Sequence, residues 1–554
     1  MREGQDDGAE QRTARYSRRT AVGRGALAAA GAALLTAGAR GHGAAQEGTP
    51  AATPTATTGS ALDPANVARA VERAPEIARD LLARTGMPGL AVAIVETDAT
   101  LLVEGFGVRE LGMPEPIDAD TVFQIASMSK PVASTVVASI VGEGVVSWSS
   151  QLSDVDPGFA LKQAYPTQEV TIADLFSHRS GLPDHAGDLL EDIGFGREEV
   201  LHRLRVLDPE YPFRAGYEYT NYGLTAAAVA AAHAAGTDWE TLSEERLYAP
   251  LGMDSTSSRF ADYMAHADRA IPHVRRNDIW SVTPQQRDPD PQSPAGGVSS
   301  TANDLARWAR LHLGGGEFEG QRIVDAAALG ETYVPHSIRV PVTDPARQRA
   351  PFYGLGWNVD YTPEGLVQIG HSGAFALGTG TTVYLLPGAG FGVLGLANGT
   401  PIGVPEAFCL SVLEIARTGA LTMDWLALVT PSFAEIDEPT YGTEADYANP
   451  PADAAPPRAL SAYTGTFAND FYGDVVIAEA EAGDGLELRI GPEPLVFPMT
   501  HYDADVWSYQ PTGENAYGRT GVVFTIGADD QAMAIWVGYL ATGGPGELRR
   551  ADAG

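Results

Sequence analysis

The segment Phe123–Ala133 reads FQIASMSKPVA and sets Ser127 three residues ahead of Lys130. Both stand before the apolar run Val132–Val145, whose periodicity predicts a buried helix. Residues i and i+3 share a helix face, so the hydroxyl and the amine are neighbours. At the start of a helix, unpaired backbone amides and the dipole favour negative charge. A serine placed there beside an amine that can take its proton is an activated nucleophile for attack on a carbonyl. Ser129, two residues from Ser127, points elsewhere. The chain holds only two lysines, Lys130 and Lys162. A lysine in an apolar setting is costly unless it is paired or neutral, and a catalytic duty supplies a reason to keep it.

Two further clusters carry chemistry. Tyr219-Thr220-Asn221, in EYTNYGL, lies about 90 residues after the Ser/Lys pair and ahead of an alanine-rich helical run, Ala226–Ala235. His371-Ser372-Gly373, in IGHSGAFALGTGTTVYLL, precedes strand-like sequence. Singly each has an ordinary reading: a helix cap before a solvated lysine, loop residues, a surface turn with a histidine. The functional reading of the last cluster is an edge strand flanking the nucleophile. His371 contacts substrate there, while small Ser372 and Gly373 let a substrate backbone approach. The amides of Ser127 and Ala374 then form an oxyanion hole.

Taken in order, the three clusters resemble the signature of the serine penicillin-recognising enzymes, related to the SxxK, SDN and KTG set of class A β-lactamases. With YxN in the middle, the chain is similar to the class C β-lactamase and D-peptidase branch, peptidase family S12. LFSHRSGLP (Leu175–Pro183), LYAPLGMDST (Leu247–Thr256), SPAGGVSSTANDLARW (Ser293–Trp308) and YGLGW (Tyr353–Trp357) resemble that branch too. They read as fold-bearing turns and caps, His178 included. The resemblance implies an α+β fold: a β-lactamase/transpeptidase-like antiparallel sheet flanked by helices, with a helical subdomain. It implies that Lys130 and Tyr219 act on the Ser127 proton, the phenol kept acidic by the lysine, and that Asn221 and His371 hold substrate. Tyr217 and Tyr222 compete with Tyr219, which only its spacing from Asn221 favours. No metal or cofactor is implied. Where class C lactamases carry lysine this chain has His371, which resembles the carboxypeptidase, aminopeptidase and esterase members and shifts the expected substrate from penicillins to D-amino-acid-type peptides or esters.

Rival readings are a true β-lactamase, a non-catalytic cell-wall or ligand-binding protein on the same fold, and a metal hydrolase. The last would need clustered ligands, yet the eleven histidines are scattered with no HExxH. The partner is therefore a small-molecule or peptide substrate. A formal charge of −34 excludes nucleic acid and anionic lipid as natural partners. The sequence leaves oligomeric state open.

These clusters need a scaffold. Residues 1–45 read as an export signal of Tat type, with Arg18-Arg19 ahead of the apolar stretch Gly25–Gly38 and small residues at Ala44-Ala45. That stretch is too short to span a hydrocarbon core, so an exported protein, extracellular or in the cell envelope, without stable membrane insertion is expected. Residues 46–62 form a Pro/Thr/Ala-rich tether. The hydrolase domain occupies 63–430, with an amphipathic helix over Val67–Leu82, a strand over Gly89–Glu96 and a helix over Asp304–Leu313 introduced by Ser300 and Thr301, with Asp304 completing a capping box. Gly378–Asn398 predicts a hairpin broken at Pro387-Gly388. Cys409 reads as a buried small hydrophobe. Residues 431–457, rich in Pro, Ala, Asp and Glu, read as a linker. Residues 458–550 alternate like an all-β barrel of about eight strands, similar to the small lipocalin-like domain of some family members.

Overall fold

The computed structural model describes residues 62–434, 439–481 and 485–551. The export signal and nearly all of the 46–62 tether lie outside them. The first element is α1 (Pro64–Thr85), capped by the Asp63 carboxylate on the Ala65 amide and closed by Gly86 at φ 68°. It leads into β1 (Gly89–Glu96) and β2 (Ala99–Gly107). Further strands follow much later: β3 (Ser337–Ile338), β4 (Phe352–Tyr353), β5 (Asn358–Tyr361), β6 (Val367–Phe375), β7 (Thr379–Leu386) and β8 (Phe391–Ala397). They form one antiparallel sheet in the order β2-β1-β8-β7-β6-β5-β4-β3. The expected hairpin is β7 and β8, turning through Pro387–Ala389 to Gly390 at φ 65°.

The central strand β1 is buried along nearly its whole length because both sheet faces are covered. Leu90, Val92 and Ile94 pack with α1, α7 (Val404–Thr418) and α8 (Trp425–Phe433), in a core that also holds Cys409. Ala91, Ala93 and Val95 pack on the other face with α2 (Ser129–Gly142) and α6 (Ala302–Leu313). Between β2 and β3 the chain builds a helical region that includes α3 (Asp188–Asp192), α4 (Asn221–Ala234) and α5 (Ser293–Gly296). The Thr301 hydroxyl caps α6 by accepting from the Asp304 amide, but the reciprocal half of the expected box is missing. The Asp304 carboxylate instead accepts from the Ser255 amide and the Thr256 hydroxyl, tying α6 to the 253–257 turn.

The C-terminal strands close an eight-stranded barrel: β9 (Gly465–Asn469), β10 (Gly473–Glu479), β11 (Leu486–Ile490), β12 (Leu495–Asp503), β13 (Val506–Tyr509), β14 (Thr520–Ile526), β15 (Ala532–Val537) and β16 (Glu547–Arg550). Closure removes the unpaired edges an open sheet would leave. Inside are Phe467, Val475, Leu488, Phe524 and Ile535, and this apolar core is continuous with Leu189, Leu190 and Ile193 around α3. The Asp192 carboxylate at the end of α3 fastens the contact, accepting from the Glu514 amide (3.0 Å), the Asn515 amide (3.0 Å) and the Tyr539 hydroxyl (2.8 Å). The stretch expected to be a linker is partly built into this unit: Tyr441 and Tyr447 are buried, and the Tyr447 ring packs 4.9 Å from that of Tyr502. Its two aromatic anchors outweigh its polar composition.

Candidate active site

Ser127 lies in a single 3₁₀ turn, Ala126–Met128, that runs directly into α2. The buried residue before it, Ala126, has φ 47°, a left-handed conformation that costs a non-glycine residue about 1 kcal/mol or more. Tight packing holds it there. A Cβ on Gly373 would come within 2.2 Å of the Ile125 carbonyl and 3.0 Å of the Ser127 amide nitrogen. Only glycine lets β6 pass this close to the nucleophile turn. Because β5 pairs with β6 only up to Gly370, residues 371–375 present a strand edge that β5 does not cover.

Lys130 is completely buried. Its Nζ lies 3.1 Å from Ser127 Oγ, 2.6 Å from Asn221 Oδ1 and 3.0 Å from the Ala295 carbonyl. Burial pushes this amine well below the ordinary lysine range; the Asp188 carboxylate opposes that and Arg287 adds to it. A neutral amine has two N–H donors and one lone pair. Asn221 Oδ1 and the Ala295 carbonyl can only accept, so they take the two donors and leave the lone pair facing the Ser127 hydroxyl. The arrangement is that of a base poised on a serine. The other lysine, Lys162, is partly exposed and pairs with Asp208 at 2.7 Å.

Asn221 opens α4, and its amide orientation is fixed from both ends: Oδ1 accepts from Lys130 and Nδ2 donates to Asp188 Oδ2 at 2.8 Å. The same Asp188 oxygen lies 2.6 Å from His185 Nδ1. Tyr219 hydrogen-bonds Ser127, and its ring lies beneath the Lys130 nitrogen, 4.5 Å from centroid to Nζ. The expectation of an acidified phenol is corrected here. Burial is the larger influence and raises its pKa, which the Ser127 hydrogen bond only partly offsets, so the phenol stays protonated and can relay a proton only as a neutral donor and acceptor. Of its competitors, Tyr222 donates to Glu191 at 3.0 Å, away from Ser127. Tyr217 packs against His178, 5.7 Å between centroids.

His371 and Ser372 point to opposite faces of β6, as adjacent strand residues must. His371 Nδ1 donates to the Ser372 carbonyl at 2.7 Å, so in the neutral ring Nε2 accepts from the Tyr353 hydroxyl at 2.9 Å. Burial pushes this imidazole down to about 3, with Lys130 adding to the effect. It is uncharged at neutral pH. Ser372 is reassigned: its hydroxyl lies 3.0 Å from Thr382 Oγ1 on the face toward α7, where burial raises the Glu406 carboxyl to about 7. Only its backbone borders the cleft.

Several contributors escaped the motifs. Asp188 and the Ala295 carbonyl complete the lysine's surroundings. His178, read as a turn residue, packs at a tilt 4.7 Å from the Tyr219 ring, and its Nδ1 accepts from the Thr220 amide at 3.2 Å. Its φ of 57° marked the turn but not this contact. Most distant in sequence is Glu514 of the barrel, whose carboxylate accepts from the amides of Ala376 (2.5 Å) and Leu377 (3.3 Å), just past the end of β6.

The family profile described as Beta-lactamase matches residues 74–410, and one described only as a domain of unknown function matches 449–539. An Aspergillus violaceofuscus protein named Unguisins hydrolase ungD is 25% identical over 430 residues, covering 72% of this chain and 75% of its own. Penicillin-binding protein 4 of Amycolatopsis lactamdurans is 29% identical over 335 residues, 58% of this chain and 83% of its own. The structure of the octameric penicillin-binding protein homologue from Pyrococcus abyssi aligns with TM-score 0.53 at 17% identity, covering 84% of this chain and 98% of that one. Since the first profile spans more than half of the sequence, the chain belongs to the beta-lactamase family and is a serine hydrolase of its class C, penicillin-binding-protein-like branch.

Proposed function

We propose that this hydrolase works through an acyl-enzyme on Ser127 and that its acyl donors are peptides of D-amino-acid type or esters and related amides. The observation that carries the proposal is the Lys130 nitrogen, fully buried and 3.1 Å from Ser127 Oγ, where burial pushes its pKa well below the ordinary lysine range. Ser127 Oγ attacks the carbonyl carbon as its proton passes to Lys130. The carbonyl oxygen, now negative, is met by the amides of Ser127 and Ala374. Collapse of the tetrahedral adduct breaks the bond to the amine or alkoxide, which leaves with a proton returned through Lys130 and Tyr219. Water, deprotonated by the same pair, then attacks the ester and frees Ser127.

The neutral His371, bonded to Tyr353, lacks the fixed positive charge that a lysine in its place would offer a penicillin carboxylate. That favours peptide or ester over β-lactam. The naming of one relative as a hydrolase supports hydrolysis as the outcome. Fluorophosphonate labelling tests the nucleophile: the wild type becomes covalently modified and Ser127→Ala does not, equal modification overturning the assignment. Comparing turnover of a p-nitrophenyl ester, a peptide ending in two D-alanines and a penicillin tests the substrate class, which a preference for the penicillin would overturn. Export by the twin-arginine route is part of the proposal. It is tested by whether replacing Arg18 and Arg19 with lysine keeps the protein inside the cell.

A further inference from the structure

Glu514 sits in the loop between β13 and β14, in a different domain from every group described around Ser127. Its side chain is only 9% exposed. It accepts from two consecutive amides, Ala376 and Leu377, immediately beyond the strand that carries His371, Gly373 and Ala374. Behind it Arg287, 10% exposed, makes a second set of ties. The guanidinium lies 3.8 Å from Glu514, 2.9 Å from Glu191 and over the Phe375 ring at 4.4 Å. Phe375 in turn lies against Gly296, where a Cβ would be 3.6 Å from the ring, next to the Ala295 carbonyl that holds Lys130. The backbone amide of Glu514 is itself bound by Asp192, four residues along α3 from Asp188.

Glu514 thus joins the two walls of the cleft: its carboxyl holds the strand end on one side, while its backbone amide on Asp192 and its carboxyl beside Arg287 tie it to the helix carrying Asp188 on the other. Burying a carboxyl is costly: burial raises this one to about 7, and Arg287 with the two amide donors offsets only part of that cost. A loop serving only to dock the barrel would not need a buried carboxyl on the Ala376 and Leu377 amides, because the apolar contacts and the Asp192 bonds already do that.

We propose that Glu514 is a positioning residue for acylation, supplied in cis by the barrel, which fixes the end of β6 and so the place of the Ala374 amide relative to Ser127. The inference rests on the acyl-enzyme reading above. Loosening this end lets the amide drift from the developing oxyanion, and such donors are effective only when preorganised.

The test uses the full chain and the second-order rate of fluorophosphonate labelling, in which Ser127 Oγ bonds to phosphorus, fluoride leaves and the phosphoryl oxygen occupies the oxyanion position. Glu514→Ala is expected to label about tenfold or more slowly, while still reaching one label per chain. Glu514→Gln, which keeps the size and one acceptor, is expected to recover part of that loss. Tyr539→Phe removes a hydrogen bond from the same docking surface without touching β6 and is expected to stay within about twofold of wild type. Glu514→Ala labelling at the wild-type rate overturns the proposal. So does a Tyr539→Phe variant slowed as much as Glu514→Ala, since docking alone would then be responsible. Should Glu514→Ala not fold, Glu514→Gln carries the test, with a wild-type rate again overturning it. A wild type that takes no label at all instead overturns the acyl-enzyme reading.

Discussion

Around Ser127 the hydrolase domain buries Lys130, His178, Asp188, Asn221 and His371, whereas the barrel interior is filled with Phe467, Val475, Leu488, Phe524 and Ile535. The two regions bury their residues equally well and to different ends. In the barrel, each buried side chain removes apolar surface from water and contributes stability directly. At the cleft, burial pushes a lysine's pKa well down, holds a phenol protonated and keeps Ala126 in a left-handed turn. Those choices cost stability and yield reactivity, a division expected where strain and perturbed titration gather at a working site. Asp503 and Asp505 are buried on the barrel side too, but Glu514 is a buried carboxyl that reaches the end of β6.

Breaking the cleft should therefore cost rate, and breaking the barrel should cost stability. The largest effect is expected from Lys130→Ala, with Ser127 acylation slowed by at least about a hundredfold, read as the labelling rate. The wild-type rate should fall as pH drops through the lowered Lys130 pKa, because the protonated ammonium has no lone pair; the variant should lack that limb. The same shift links to stability. Between that pKa and the ordinary lysine value the unfolded chain binds the extra proton, so this lysine's contribution to stability rises with pH across the window. Chemical denaturation at several pH values should show that slope in the wild type and lose it in Lys130→Ala.

Next in size, Gly373→Ala would drive a methyl group into the Ile125 carbonyl and Thr381 Oγ1, at 2.2 and 2.4 Å, and displace β6 from the nucleophile turn. A loss of about tenfold or more in labelling rate is expected, the scale of a misplaced oxyanion donor. Phe524→Ala reverses the pattern. Removing this ring, packed 4.8 Å from that of Tyr463, should cost about 3–5 kcal/mol in denaturant unfolding. The labelling rate of the folded fraction should be unchanged, and a parallel loss of rate would blur the division between the regions. The smallest effect belongs to Ser372→Ala. With its hydroxyl on the face away from the cleft, turnover is expected to stay within about threefold of wild type.

Much of this was legible in the sequence because the motif residues are local. Ser127 and Lys130 share one helical turn, and Tyr219 and Asn221 flank the start of another, so spacing alone brings each pair together. Strand alternation, which sends adjacent residues to opposite faces, would have separated His371 from Ser372 but was not applied to that pair. What spacing does not encode is contact across the chain. Asp188 meets Asn221 across 33 residues, the Ala295 carbonyl meets Lys130 across 165, and Glu514 reaches Ala376 across 138. A backbone carbonyl has no signature in side-chain sequence, and a loop glutamate resembles any solvated one. The 431–457 segment misled for a related reason, since a polar average conceals two tyrosines that anchor it. The acidity expected of Tyr219 considered only the nearby lysine and omitted desolvation, which acts on every group in the pocket.

The scarcity of lysine has a practical side. Lys130 is sealed inside the protein, and Lys162, paired with Asp208, stands on the surface with 44% of its side chain exposed. Apart from the chain's amino terminus, an amine-reactive linker applied to the folded protein therefore has a single internal point of attachment. The enzyme can be tethered to a support or carry a dye at Lys162, and peptide mapping after such treatment should find one modified lysine.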